Sequence, residues 1–108
     1  MKPGEVWRVR IPELGTHEQS GMRPSVIVAC ATKTMATIIP CTTNRKALRF
    51  PFTSLIEPTT RNGLSETSVA LVFHLRAIDV SYFSVKLGDL DRETFLSLKK
   101  QAHRLIGK

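Results

Sequence analysis

The chain has 108 residues, 42% of them hydrophobic and 23% charged, which suits one globular domain over 1–108 and argues against disorder. Sixteen Lys and Arg against nine Asp and Glu leave a net charge of +7, which predicts a polyanionic partner, nucleic acid first. The longest apolar run, Val26 to Ala31, is too short for a membrane span, and Met1 to Gly4 lead directly into charged sequence rather than a secretory signal.

Trp7, Val9 and Ile11 alternate with Val6, Arg8 and Arg10, the two-residue period of a strand, which Pro12 stops. A polar stretch from Glu13 to Met22 reads as a long loop, and long loops in small domains are often functional. Ser25 to Ala31 reads as a central strand, apolar on both faces. Thr34 to Pro40 is a second strand running into Cys41-Thr42-Thr43-Asn44. Arg45-Lys46 marks a turn before a strand over Leu48 to Leu55, which Pro51 demotes to an edge. Glu57 to Glu66 is a second polar loop with an Asn62-Gly63 turn signal. A strand over Ser68 to Leu75 follows, then one helical turn capped by Asp79 and a short strand around Val85 to Leu87.

The last element has the strongest local signals. Asp91 is a good N-cap, Leu90 and Phe95 are spaced as a hydrophobic staple, and Gly107 ends the helix. Phe95, Leu98, Ala102, Leu105 and Ile106 form its apolar stripe. Five or six mostly antiparallel strands and a terminal helix define an α+β domain, a small curled β-barrel. Cys30 and Cys41 have no CxxC spacing and read as two reduced, buried thiols, which points to the cytoplasm. His17, His74 and His103 share no metal-ligand spacing, so neither a metal nor another cofactor is expected.

Charge is uneven along the chain. From Gln19 to Ile56 there are five basic residues (Arg23, Lys33, Arg45, Lys46, Arg49) and no acid. That excess borders the first long loop and the Thr42-Thr43 turn, which a barrel can bring together at one end. A solvated basic face is the plainer reading; a polyanion site is the sharper one. Aromatic residues make up only 6% of the chain, and Trp7, Phe52, Phe73 and Phe95 fall at core-like positions. This counts against base stacking as the main mode of binding, leaving phosphate contacts and hydrogen bonds. His17, Glu18 and Arg23 together offer proton transfer and phosphate stabilisation, with Thr42 and Thr43 as hydroxyl donors from a neighbouring strand end.

Gly4-Glu5-Val6-Trp7, His17-Glu18-Gln19, Gly21-Met22-Arg23-Pro24 before Val26-Ile27-Val28, and Pro40-Cys41-Thr42-Thr43-Asn44 resemble, in order and spacing, the MazF/PemK toxin family. Asn62-Gly63-Leu64, the Ser68 to Leu75 run, Arg76-Ala77-Ile78-Asp79 and Gly88-Asp89-Leu90 extend the match over nearly the whole chain. The resemblance implies an SH3-like curled barrel, akin also to CcdB, that forms a homodimer. It further implies a metal-independent, sequence-selective endoribonuclease for single-stranded RNA, held in check by a MazE-like antitoxin with an acidic disordered tail. The family's arginine and threonine fall on Arg23 and Thr42, and its loop His and Glu on His17 and Glu18.

Two departures stand out. Thr16 separates Gly15 from the His-Glu-Gln triplet, which displaces His17 relative to the family pattern. Leu71 and Phe73 stand where some PemK-type relatives carry an Arg and an Asp as acid and base. His74 replaces a glutamine common among relatives and is a candidate base contact, a spare acid or a half-buried strand residue. With Gln19, Thr43, Asn44, Arg45, Lys46 and Arg61, it completes the expected RNA-binding set. A CcdB-like poison of DNA gyrase and a non-catalytic nucleic-acid-binding barrel are the alternatives.

Overall fold

A computed structural model describes residues 1–11 and 21–107. Strands β1 (Glu5–Arg10), β2 (Met22–Cys30), β3 (Met35–Thr42), β4 (Thr53–Ile56), β5 (Ser68–Leu71), β6 (Arg76–Asp79) and β7 (Phe83–Asp89) precede helix α1 (Arg92–Ile106). The strands form one antiparallel sheet ordered β4-β5-β3-β2-β1-β7, with β6 also paired to β3. Strand β3 changes partner along its length. Met35 to Ile38 pair with β6, whereas Cys41 and Thr42 pair with β5. The sheet therefore curls at β3, in keeping with the barrel expected from sequence.

Alternation divides the core in two. Val6, Val26, Ile39, Cys41 and Ala70 face α1 and pack with its Leu98 and Ala102. Val9, Ile11, Ile27, Ile38 and Ile78 pack on the other face, beside Trp7 and Phe83. Strand β2 is apolar on both sides because it feeds both cores, as a strand central to the sheet must.

The helix follows its local signals. Asp91 Oδ2 accepts from Thr94 N at 3.0 Å, and Leu90 and Phe95 lie against the core. Leu98 and Ala102 are its buried residues, but Ile106 is 71% exposed, so the apolar stripe ends one residue earlier than expected. Asp79 caps the turn Val80–Tyr82 through Ser81 N, also as expected.

Elsewhere the sequence reading needs correction. Leu48 to Leu55 is not one strand. Arg45–Arg49 form a 3-10 helix capped by Asn44, and only Thr53–Ile56 are extended, on the sheet edge. The run from Ser68 to Leu75 is broken by a 3-10 turn at Val72–His74, after which β6 begins. The described residues form seven strands rather than five or six. Cys41 is buried, but Cys30 is exposed.

The loop before β5 is held by one side chain. Asn62 Oδ1 accepts from Thr59 N and Leu64 N, both at 3.0 Å, and its Nδ2 donates to Glu57 O at 2.9 Å. Gly63 (φ +71°) and Gly88 let this loop touch β7. A Cβ on Gly63 would sit 1.9 Å from Leu87 O, and one on Gly88 would sit 2.2 Å from Arg61 O.

Candidate active site

Strand pairing builds the site. Val26 pairs with Ile39 and Ser25 with Pro40, so extending the same register puts Arg23 opposite Thr42 at one end of the sheet. Arg23 Nη1 lies 3.5 Å from Thr42 Oγ1, long for a hydrogen bond. Thr42 Oγ1 also accepts from Asn44 N at 3.2 Å, which turns the chain immediately after β3. Asn44 in turn caps the 3-10 helix, its Oδ1 accepting from Lys46 N at 3.1 Å.

These residues line an open groove of about 280 Å³ together with Ala47, Arg49, Phe50, Leu71 and Phe73. Among its described lining residues, Arg23, Lys46 and Arg49 are cationic and none is acidic. An anion entering there meets three positive charges, two of them on the short helix that Asn44 starts. Pro24 follows Arg23 and limits its backbone to extended conformations, which helps aim the guanidinium.

Of the residues expected at the site, the structure brings Arg23, Thr42, Asn44 and Lys46 together. Thr43 and Arg45 are exposed beside them, outside the groove lining. His74 is exposed and stacks on Phe73 at 4.6 Å, one step beyond the lining. Arg61 lies on the loop that meets β7, its carbonyl accepting from Asp89 N at 2.9 Å, and it is absent from the groove. Its neighbour Asn62, only 3% exposed and bonded throughout its side chain, holds the loop rather than presenting a contact to nucleotides. His17, Glu18 and Gln19 lie outside the described residues. The described chain stops at Ile11 and resumes at Gly21, where Ile11 N donates to Gly21 O at 3.0 Å, two positions from Arg23.

Sequence reasoning counted Arg49 only within the basic excess, missed Phe50 as a site residue and placed Phe73 in the core. Phe50 is 46% exposed and Phe73 38%, and both line the groove. The turn at Val72–His74 takes Phe73 out of the strand period that had suggested burial. Among the described residues, no cluster of three His, Cys, Asp or Glu side chains could hold a metal ion. No helix among them is long and apolar enough to cross a membrane.

The described residues form a curled antiparallel barrel with a helix across one face and a basic groove at the β2 and β3 ends. The chain belongs to the PemK-like, MazF-like toxin family of type II toxin-antitoxin systems, which it matches over residues 2–106. MazF from Deinococcus radiodurans has the same fold, with a TM-score of 0.78 at 21% identity over 100% of this chain and 97% of that one. A MazE-MazF structure from the same organism superposes with a TM-score of 0.74 at 19% identity, covering 99% and 95% of the two chains. An endoribonuclease from Mycobacterial species, solved with its cognate antitoxin, gives 0.74 at 16% identity over 99% and 95%. No curated protein sequence is a significant match.

Proposed function

We propose that the protein is a cytoplasmic, metal-independent endoribonuclease that cleaves single-stranded RNA and acts as the toxin of a type II pair. The observation that carries this reading is the placement of Arg23 opposite Thr42 in a groove whose described lining is basic. The substrate's own 2′-OH attacks the adjacent phosphorus, so the protein supplies no nucleophile. It must instead take the 2′ proton, stabilise the charge gathering on phosphorus, and protonate the departing 5′ oxygen.

Arg23 suits the second task, because a guanidinium presents a fixed fork to two phosphate oxygens. Thr42 assists it. A hydroxyl has two acceptor sites and one donor. Asn44 N and the Arg23 guanidinium approach the acceptor side of Oγ1, which leaves its proton for a non-bridging oxygen. Donors held in place before the reaction stabilise developing charge without reorganising. Glu18 or His17 serves as the base, and the other, or Arg23, supports the leaving group. The products are a 2′,3′-cyclic phosphate and a 5′-OH.

Asn44, Lys46, Thr43, Arg45, Gln19, Arg61 and His74 are the contacts to flanking nucleotides in this proposal; Asn44 and Lys46 line the groove, and Thr43 and Arg45 are exposed beside it. A homodimer and a MazE-like antitoxin with an acidic tail complete the proposal. The antitoxin partner is supported by the MazE-MazF structure and the endoribonuclease-antitoxin complex among the structural neighbours. An acidic chain in a basic groove competes directly with RNA phosphates.

Incubation with a long single-stranded RNA in EDTA, with ends mapped by primer extension, tests the proposal. Discrete cuts with 5′-OH ends, slowed about a hundredfold or more in Arg23→Ala, are expected. Intact RNA, or cutting reduced less than threefold in folded Arg23→Ala, overturns it. A parallel assay of gyrase supercoiling then separates a CcdB-like poison from a silent nucleic-acid binder.

A further inference from the structure

Three side chains of the groove wall, Arg49, Phe50 and Phe73, run in series with His74 just beyond it. The Arg49 guanidinium carbon sits 4.9 Å over the Phe50 ring. Phe50 meets Phe73 with ring centroids 5.9 Å apart, and Phe73 meets His74 at 4.6 Å. Both phenylalanines are exposed although their chain neighbours Phe52 and Val72 pack in or against the core, so the array leaves apolar surface in water. The backbone behind it is strained. Phe52 has φ +59°, a left-handed conformation disfavoured for a residue with a Cβ, and its carbonyl accepts from Phe73 N at 3.3 Å. That bond ties the segment carrying Phe50 to the turn carrying Phe73.

The same groove holds Arg23, Thr42 and Lys46. A ligand fitting it must carry negative charge and, within a few ångströms, a flat unpaired ring. We infer that Phe50 and Phe73 form a stacking shelf for an unpaired nucleobase next to the phosphate held by Arg23 and Thr42. This rests on the RNA reading above and extends it by naming how the substrate is gripped. A shelf of this kind accepts any base face, so it favours single strands over duplexes, whose bases are already stacked. Preference among bases then falls to polar neighbours such as Asn44 and His74.

Stacking and charge neutralisation respond differently to salt, and this makes the inference testable. Binding of a labelled single-stranded RNA with 2′-O-methyl riboses, which the proposed reaction cannot cut, is measured by anisotropy across a salt series. Phe50→Ala and Phe73→Leu should each bind about tenfold more weakly with an unchanged salt slope. Phe73→Trp should bind as the wild type does. Lys46→Ala should flatten the slope by about 0.7, the value for one phosphate contact on a single strand.

Wild-type affinity in folded Phe50→Ala and Phe73→Leu overturns the shelf, as does an affinity loss accompanied by a flatter slope. If the wild type cuts RNA while these variants bind normally, the nuclease reading stands and the shelf falls. If the variants lose affinity with an unchanged salt slope but the wild type cuts nothing, the shelf stands and the nuclease reading falls. Wild-type protein that binds no single strand overturns both.

Discussion

Arg23 Nη1 and Thr42 Oγ1 stand 3.5 Å apart at the ends of two adjacent strands, two residues beyond their Ser25–Pro40 pair. The pairing comes from the sheet itself rather than from a flexible loop. Because Asn44 N also donates to Thr42 Oγ1, the hydroxyl is oriented before anything enters the groove. Thr42→Val keeps the shape and removes the donor, so cleavage should fall about a hundredfold. Thr42→Ser keeps the donor and should stay within about tenfold of wild type. Single-turnover rates decide the matter, and equal rates for the Val variant and wild type would remove the hydroxyl from the mechanism.

The Asn62 loop predicts a stability effect rather than a binding effect. Asn62→Ala leaves two backbone N–H groups and one carbonyl without their partner, at about 1–3 kcal/mol for each group that stays buried. Urea denaturation should show a loss of about 3 kcal/mol. Gly63→Ala should cost at least as much, since its Cβ would overlap Leu87 O in a left-handed backbone. A midpoint unmoved by either change would mean that the loop is not tied to β7.

Glu5 gives the stability a pH dependence. Burial alone would raise its pKa, but hydrogen bonds from the Trp7 indole at 2.8 Å, the Lys2 backbone and Lys86 at 3.3 Å outweigh it and hold the carboxyl below its ordinary value. A depressed carboxyl contributes stability that is fully present above its unfolded pKa, about 4.3, and is lost as pH falls through the folded value. Glu5→Gln should therefore be less stable than wild type at pH 7, and the gap should close below about pH 4. Urea midpoints at pH 7 and pH 3 measure it. A constant gap would show that the charge on Glu5 is not what its partners hold.

The two thiols should differ sharply in reactivity. Burial pushes the Cys41 thiol up to about 12, whereas Cys30 lies at the surface. Only thiolate reacts, and only when it can be reached. At pH 8 a disulfide reagent should modify one thiol per chain at once and the second only after denaturant is added. Rapid reaction of both would mean that the core around Cys41 opens readily.

Features set by neighbours in sequence were legible before the structure. The cap, staple and apolar stripe of α1 act within a few residues of one another, and β2 shows its double burial in an unbroken apolar run. The turn at Val72–His74 was hidden because Val72 is buried in the core as a strand residue would be, and only the transfer of pairing along β3 requires the break. Strand β6 was missed because it buries Ile78 but exposes Ala77 and is flanked by charge. At the site, Arg23 and Thr42 could be found from strand ends and family likeness. The groove's aromatic wall could not, since Phe50 and Phe73 meet through tertiary contact across a non-local stretch of chain.

The position of α1 and β7 also bears on when the groove can exist during synthesis. Strand β1 has β7 as its outer neighbour, Leu90 N donates to Gly4 O at 2.9 Å, and Leu98 and Ala102 fill the core beneath Val26 and Ile39. All of these contacts come from the last quarter of the chain. A nascent chain on the ribosome therefore has the residues of the groove long before it has the core that aligns them. Any activity of the groove therefore begins only after β7 and α1 have cleared the exit tunnel and folded back onto β1 and the core.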